Sequence, residues 1–427
     1  MKIAIYIDNR NISSVDCTDL SKGNPGIGGT EYCILLLAQM IKCYHKEIEV
    51  ILLVEKKGCL PKVDEILLVN GLNDVSKIAK KADILVISSR RDGNPLPQTF
   101  FNQLDENKVK TVLWGHNYYY SDYCNRIANC NAIKANVFVG RQQYDRYVDH
   151  KIILKSTYIY NMYPMEKKQK RKFENQHTVT YIGSLVPEKG FQVLAAAWKK
   201  IIAEVPDAQL NVIGSGKLYS RNSKLGKYKI AEEHFENQFM RYLIDDAGKI
   251  LPSVNFLGVM GAEKDNVILE TGVGVVNPTG RTETFGISAL DFESMGVPVV
   301  TIAKGGFLDT VIDHKTGILS RNVSGIADSI ITLLKNSNMN KHYGHAGIKL
   351  AENFVPSLII EEWINLFFKI LNDEKLQYKK PENFMASNLK WLRVINHNFK
   401  SIIKISDGIS VIGVESLAKA MLRRLGH

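Results

Sequence analysis

The sequence predicts an α/β protein with two successive domains, each built on a parallel β-sheet. The chain has 427 residues, enough for two or three domains. Its composition, 45% apolar and 23% charged, suits buried hydrophobic cores and excludes disordered and fibrous proteins. Short runs rich in valine, isoleucine and leucine alternate with longer helical patterns, which is typical of parallel strands covered by helices on both faces.

The first series of elements predicts an N-terminal Rossmann-like domain over residues 1–164. A helical pattern at residues 31–46 follows the first apolar run. The charged run at residues 166–172 has no apolar period and favours a solvated linker, with a surface loop as the alternative. The predicted strands of this domain are residues 3–7, 49–53, 84–88, 111–114 and 137–139.

The second series predicts another Rossmann-like domain over residues 165–352. A helical pattern covers residues 324–371, and a helical crossover at residues 353–382 is expected to return to the first domain. Ligands of such sheets bind beyond the carboxyl ends of the strands. The predicted strands are residues 179–182, 209–213, 254–257, 274–277 and 297–302.

The tail at residues 383–427 is basic and amphipathic, with seven basic and two acidic residues. Two interpretations stay open: a helix on a membrane surface, and a helix packed across the first domain with a solvated basic face. The apolar residues at helical spacing are Leu392, Ile395, Phe399 and Ile402, with Lys390, Arg393, Lys400 and Lys404 elsewhere around the helix.

Charge and cysteine usage limit the partners and the compartment. The formal net charge of +11 favours anionic partners: phosphates, nucleic acid or an acidic membrane face. The six cysteines form no C-x-x-C pair, which predicts buried thiols in a reducing cytoplasm. We expect no transmembrane segment and no signal peptide, because no long apolar stretch occurs and Asp8 follows the first apolar run.

Glycine-containing loops follow the first strand of each domain. Gly26-Ile-Gly28-Gly29 precedes the first helix, where exposed N–H groups favour an anion, although a turn with positive φ explains the glycines equally simply. In the second domain Gly183-Ser-Leu-Val-Pro-Glu-Lys189-Gly190 places a lysine at the start of the next helix. A lysine in that position can pair with a phosphate.

The most informative stretch is residues 277–298. Glu283 and Asp291 lie eight residues apart and bracket a helix that begins near Gly286. The alternative to a binding role is that Glu283 and Asp291 only stabilise the dipole of this helix. We find no D-x-D sequence to hold a divalent ion, and we therefore expect no metal and no cofactor.

Five segments together resemble, in order, the motifs of the retaining glycosyltransferase family four, whose members have the GT-B fold. The resemblance spans about residues 1–370. It implies two Rossmann-like domains facing a cleft, followed here by a C-terminal helical extension. The segments are the glycine-rich loop, the strand end at His116, G-x-L-V-P-E-K-G, the E-x7-E region with Asp291 in its second place, and residues 305–317.

The resemblance also implies roles for individual residues. Glu283 would hold hydroxyls of the donor sugar, Asp291 the ribose, and His116 the transferred sugar. Lys189 would neutralise the diphosphate with the N–H groups of Phe285, Gly286 and Ile287, while Gly28 and Gly29 would form a phosphate or acceptor loop. Ser184 replaces the family's usual arginine. Arg281 is the candidate to supply the missing guanidinium, and the alternative is that its side chain points to solvent.

These observations and the resemblance predict a cytoplasmic, retaining, metal-independent hexosyltransferase. Peripheral attachment to the inner membrane face is one of the two open interpretations of the tail. It would move a sugar from a UDP- or GDP-sugar to a saccharide or lipid-linked acceptor in surface glycan or lipopolysaccharide biosynthesis. The alternatives are a sugar-nucleotide epimerase or phosphorylase of the same fold and, less in keeping with the scattered aromatics, a basic nucleic-acid-binding protein. We expect no nucleic acid as a partner.

Overall fold

The computed structural model describes residues 1–89, 94–165, 168–172, 177–216, 224–382, 389–403 and 408–424. The chain divides into two compact units. The first unit comprises Met1–Leu20, Thr30–Met162 and Pro356–His427, and the second comprises Ser21–Gly29 and Tyr163–Val355. The glycine-rich segment thus belongs to the second unit, although the sequence places it within the first series of elements.

The first unit is built on a seven-stranded parallel sheet in the order β3-β2-β1-β4-β5-β6-β7. Its central strands are almost completely buried, as expected of a sheet covered on both faces. The strands are β1 (Lys2–Ile7), β2 (Glu49–Val54), β3 (Glu65–Leu68), β4 (Ile84–Ser88), β5 (Thr111–Gly115), β6 (Ile133–Phe138) and β7 (Ser156–Tyr158). The helices among them are α1 (Gly29–Tyr44), α2 (Leu72–Ile78), α3 (Gln98–Glu106), α4 (Ser121–Asn129) and α5 (Arg141–Asp145).

The second unit has a six-stranded parallel sheet in the order β10-β9-β8-β11-β12-β13. The strand order reverses beside β8, just as it does beside β1 in the first sheet. The strands are β8 (Thr178–Ile182), β9 (Gln209–Ile213), β10 (Val254–Gly258), β11 (Val273–Val275), β12 (Val299–Ile302) and β13 (Gly317–Ser320). The helices are α6 (Phe191–Glu204), α7 (Glu233–Met240), α8 (Lys264–Leu269), α9 (Ile287–Glu293), α10 (Phe307–Thr310), α11 (Ile326–Lys335) and α12 (Ser337–Ala351).

Three further helices complete the first unit: α13 (Pro356–Leu371), α14 (Lys390–Ile402) and α15 (Val411–Arg424). Helix α13 buries Trp363 against Trp114 of β5, with ring centroids 4.7 Å apart. Within the residues described, no helix combines the length and the apolar character needed to cross a membrane.

The predicted strands all occur, but three observed strands were not predicted. These are β3, β7 and β13, each three or four residues long and each at an edge of its sheet. Edge strands need no continuous apolar run, because one side of the strand faces no neighbour. Short runs of this kind give too little periodic signal in the sequence.

Within the described part of residues 166–172, Gln169, Lys170 and Lys172 are exposed, as predicted for a solvated linker, whereas Lys168 is half-buried and Arg171 is buried. Lys168 forms an ion pair with Asp265 at 2.7 Å, and Lys170 Nζ donates to the Ser294 carbonyl at 2.6 Å. Buried Arg171 donates to the Gly296 carbonyl from Nε at 2.8 Å. Carbonyls just beyond the end of α9 thus gain donors from these side chains. Residues 166 and 167 lie outside the described part.

The expectation of six buried thiols was only partly right. Cys17, Cys33, Cys124 and Cys130 are buried, whereas Cys43 and Cys59 are exposed. All six belong to the first unit.

Candidate functional site

The candidate site of the second unit lies in the loops that follow β8 and β11. The two strands are neighbours, and the strand order of the sheet reverses here. Loops at the carboxyl ends of strands beside such a reversal are the usual ligand sites of open α/β sheets. The loop after β8 carries Ser184 and Lys189, and the loop after β11 carries Arg281 and Glu283.

Lys189 and Glu283 form an ion pair that joins these two loops. The distance from Lys189 Nζ to Glu283 Oε2 is 2.8 Å, and the Asn277 amide donates to the same oxygen at 3.3 Å. Burial raises the pKa of the Glu283 carboxyl, but the Lys189 ammonium and hydrogen bonds from Asn277 and the Gly286 N–H outweigh burial and lower it. Glu283 is therefore a carboxylate at neutral pH.

Two glycines with positive φ allow close packing beside the ion pair, Gly190 between the two loops and Gly286 against α10. Gly190 has φ +71°, and a Cβ there would lie 2.7 Å from Thr279 Cγ2. The Thr279 hydroxyl donates to the Glu188 carbonyl at 3.3 Å, which ties the two loops together. Gly286, at φ +85°, has no room for a Cβ beside the ring of Phe307. Larger residues at either position would displace the backbone next to the ion pair.

Asp291 lies on α9 in a second polar cluster. Its Oδ1 accepts from the Tyr163 hydroxyl at 2.9 Å and pairs with Lys264 Nζ at 3.0 Å. All three side chains are buried. Sequence reasoning did not select Lys264, because only the fold brings the start of α8 beside α9.

The remaining predicted donor residues differ in exposure. Ser184 is buried and donates from its hydroxyl to the Ser215 carbonyl at 3.3 Å, whereas Arg281 is exposed. Phe285 is buried, with its ring centroid 5.4 Å from that of Phe354. Its backbone N–H is the group that was predicted to contact the phosphates. Ile287 opens α9 and is half-buried.

The glycine-rich loop before α1 packs on the loop after β10. The Asn24 side chain accepts from the N–H groups of Gly26 and Ile27, both at 2.9 Å. Gly26 has φ +90°, and a Cβ there would lie 3.0 Å from Val259 Cγ1, which supports the turn explanation for this glycine. Gly28 and Gly29 fall in the same unit as Lys189 and Glu283.

His116 directly follows β5 in the first unit. It is buried, with its ring centroid 4.5 Å from that of Trp114. Burial lowers the pKa of the imidazole to about 3. His116 is thus neutral at physiological pH and suits hydrogen bonding to an uncharged group.

Sequence reasoning did not select Asn277 or Glu293 for the site. Asn277 orders the loop after β11, because its amide donates to the Arg281 carbonyl at 2.9 Å as well as to Glu283. Its place at the end of the predicted strand 274–277 was the available signal. Glu293 is buried away from both clusters and accepts from the Thr316 hydroxyl at 2.6 Å; burial raises the pKa of its carboxyl.

Comparison with known proteins gives consistent results. Residues 162–350 match the family model of group 1 glycosyl transferases. The chain is 27% identical over 212 residues to CapM of Staphylococcus aureus, a capsular polysaccharide biosynthesis glycosyltransferase, covering 48% of this chain and 50% of CapM. It is 25% identical over 213 residues to the N-acetyl-alpha-D-glucosaminyl L-malate synthase of Bacillus anthracis, covering 49% and 50%. The chain thus spans about half the length of these curated relatives.

A solved structure extends the likeness to both units. The crystal structure of Anabaena HepE in complex with UDP-glucose superposes with a TM-score of 0.63 at 13% identity, covering 86% of this chain and all of the HepE chain. The predicted fold, with two Rossmann-like parts, is confirmed. The match at residues 162–350 and the likeness to these relatives indicate a glycosyltransferase of the family-four type with the GT-B fold.

Proposed function

We propose that the protein is a retaining hexosyltransferase that moves a sugar from a nucleotide diphosphate-sugar, a UDP- or GDP-sugar, to a saccharide or lipid-linked acceptor in surface glycan biosynthesis. The observation that carries the proposal is the Lys189–Glu283 ion pair, 2.8 Å long, at the strand reversal of the second sheet. The pair combines a cation for the diphosphate with a carboxylate for sugar hydroxyls.

Lys189 neutralises the leaving diphosphate in this proposal. Negative charge grows on the diphosphate as the bond to the sugar breaks, and a fixed cation lowers the barrier most when it needs no reorganisation. Glu283 holds the ammonium in place before the donor arrives. Exposed Arg281 adds a guanidinium from the loop after β11, while Ser184 offers one neutral donor. We propose that these groups serve without a divalent metal.

Glu283 and Asp291 orient the donor. A carboxylate accepts hydrogen bonds from sugar hydroxyls strongly, because one partner is charged. We assign Glu283 to the transferred sugar and Asp291 to the ribose, and the N–H groups of Phe285, Gly286 and Ile287 to the phosphates. Tyr163 and Lys264 restrain Asp291 through its Oδ1.

His116 contributes a neutral hydrogen bond to the sugar. With its pKa lowered to about 3, the imidazole neither competes with the diphosphate for a proton nor adds a positive charge. The leaving phosphate itself serves as the base that deprotonates the acceptor hydroxyl, on the same face of the sugar, and this geometry retains the anomeric configuration.

The names of the relatives support the glycan part of the proposal. CapM is a capsular polysaccharide biosynthesis glycosyltransferase, and HepE was crystallised with UDP-glucose. This likeness supports a sugar nucleotide as the donor and a growing surface saccharide as the acceptor.

A donor-dependent transfer assay tests the proposal. The protein is incubated with UDP-glucose, UDP-N-acetylglucosamine or GDP-mannose and a set of saccharide acceptors, with and without EDTA. We expect acceptor-dependent release of nucleoside diphosphate, a product with the anomeric configuration of the donor by NMR, and no effect of EDTA. Isomerised donor without acceptor would indicate an epimerase, and sugar phosphate formed from inorganic phosphate would indicate a phosphorylase. If EDTA abolishes transfer and Mg²⁺ restores it, the proposal that the reaction needs no divalent metal is contradicted.

A further inference from the structure

The C-terminal hairpin, defined here as residues 389–403 and 408–424, exposes its apolar side chains. They make up more than half of the exposed large apolar side chains in the described chain. The twelve are Leu389, Trp391, Leu392, Ile395, Phe399, Ile402, Ile403, Ile409, Val414, Leu417, Met421 and Leu422.

The opposite face of α14 is buried and charged. Lys390 pairs with Asp145 at 2.7 Å, and both side chains are almost inaccessible. Arg393 contacts Glu415 and lies 3.9 Å from Asp149, while Lys400 Nζ donates to the Asp149 carbonyl at 2.7 Å. The predicted solvated basic face is therefore wrong for these three residues, because they hold the helix on the first unit.

This arrangement is the reverse of an ordinary surface helix. A helix on a globular protein normally buries its apolar stripe and exposes its charges. Here the ion pairs fix the orientation, and Trp391, Phe399 and Ile402 remain outward. Clustered exposed apolar side chains of this kind mark interaction sites, since covering them removes apolar area from water.

The charge of the tail identifies what covers it. Besides the buried Lys390, Arg393 and Lys400, residues 383–427 carry four basic residues, Lys404, Lys419, Arg423 and Arg424, against two acidic residues, Asp407 and Glu415. One of the two acids, Glu415, is already paired with Arg393 and Arg146. Exposed Lys419 lies with its ammonium 5.1 Å from the Tyr120 ring centroid. An apolar face with excess positive charge matches an anionic lipid surface, whereas a second copy would bring like charges together.

The hairpin also lies beside the loop that begins at His116. The Ser121 N–H donates to the Ser416 hydroxyl of α15 at 3.1 Å, and Lys419 stacks over Tyr120 of that loop. We propose that the exposed apolar side chains of the C-terminal hairpin dock the protein onto the surface of an anionic phospholipid bilayer. Delivery of a lipid-linked acceptor to the His116 loop is the part that rests on the proposed function.

The tryptophans provide a direct readout of docking. Trp114, Trp198 and Trp363 are fully buried, whereas Trp391 is 50% exposed. We expect the protein to sediment with vesicles of phosphatidylcholine and phosphatidylglycerol, with a blue shift of tryptophan emission. Trp391→Phe should remove the shift while the protein still sediments. Vesicles of phosphatidylcholine alone should bind at least about tenfold more weakly, since the basic residues then lack partners.

A triple variant tests the apolar face. Ile395→Ser, Phe399→Ser and Ile402→Ser, made together, should lower vesicle partitioning at least about tenfold, because each loses the apolar area that enters the lipid. The matched control is Ile66→Ser, Leu68→Ser and Leu154→Ser, three exposed apolar residues elsewhere in the first unit, which should leave binding unchanged. Both proteins should keep the wild-type circular dichroism spectrum.

Three outcomes would overturn the proposal. The wild type does not sediment with anionic vesicles, or the triple variant binds them as well as the wild type. In the third, the wild type dimerises in solution and the triple variant is monomeric, which would assign the face to a second copy. Because binding is measured without donor or acceptor, a protein that binds vesicles but transfers no sugar would count only against the proposed function.

Discussion

At the carboxyl edge of the second sheet, two buried or partly buried ion pairs link neighbouring elements, Lys189 with Glu283 and Lys264 with Asp291. At the carboxyl edge of the first sheet, the residue selected from the sequence is neutral His116, buried beside Trp114. Both sheets are parallel and reverse their strand order beside the first strand. The comparison teaches that loops at the carboxyl ends of strands in two sheets of like topology can present buried ion pairs in one case and a neutral imidazole in the other, since the loops decide the chemistry.

The largest effect is expected from removing the Lys189 ammonium at the carboxyl edge of the second sheet. Lys189→Ala should slow transfer about 10²- to 10³-fold, as the loss of a transition-state charge donor does. Steady-state rates with saturating donor measure the effect. Lys335→Ala is the control, because it removes a lysine from an exposed ion pair with Glu204 of similar length, 2.6 Å. A Lys189→Ala rate within about threefold of wild type would show that the Lys189 ammonium does not act on the diphosphate.

Glu283→Gln should slow transfer on the order of 10²-fold, because a weaker hydrogen bond misplaces the reacting carbon. The variant keeps the volume of the side chain, so a wild-type circular dichroism spectrum is expected. Glu204→Gln, which alters the partner of the exposed pair, should retain full activity. Full activity of Glu283→Gln would remove this residue from the site.

Asp291→Asn should weaken donor binding by about 1.5–3 kcal/mol, the usual contribution of a hydrogen bond to a charged group. Calorimetric titration with UDP or GDP measures it. Because the substitution also alters the Lys264 pair, the control is a nucleoside diphosphate that lacks the ribose hydroxyls. Wild type and variant should bind that analogue equally. An equal loss of affinity for both ligands would mean that Asp291 does not contact the ribose hydroxyls and affects binding only through the protein structure.

The smallest effect concerns His116, which follows β5 of the first sheet, and it is measured as a change in stability. The pKa of His116 is about 3 in the folded protein, below its ordinary 6.5, so the unfolded chain takes up a proton first and stability falls as pH drops below 6.5. Between pH 7 and pH 5 this histidine should cost about 2 kcal/mol of the free energy of unfolding. In urea denaturation, the loss of unfolding free energy between pH 7 and pH 5 should be smaller by about 2 kcal/mol for His116→Asn than for the wild type. An unchanged pH dependence would indicate that the pKa of His116 is not lowered in the folded protein.

Sequence alone predicted the strands that lie inside the sheets, because a doubly covered strand needs an uninterrupted apolar run. It also placed Lys189 and Glu283 in loops after strands of the second domain, where the ligands of open α/β sheets bind. That the two strands are neighbours was shown by the structure. The contact of Lys264 with Asp291 was not predictable, because no local pattern reports which helices pack together.

The tail shows a second limit of sequence patterns. Periodicity groups Ile395, Phe399 and Ile402 on one side of α14 and Lys390 and Arg393 on another. It does not say which side is buried. That choice depends on Asp145 and Asp149, more than 240 residues away in the chain, which supply partners for the basic side.

The distribution of cysteines makes the protein suited to site-specific labelling. With four thiols buried, a maleimide reagent should modify the folded chain at Cys43 and Cys59, both in the first unit. The second unit has no cysteine in its sequence. A single Lys200→Cys substitution at an exposed position of α6 would therefore add a unique attachment point there, after Cys43→Ser leaves Cys59 for the other dye. Energy transfer between the two dyes could then follow the units as donor and acceptor are added.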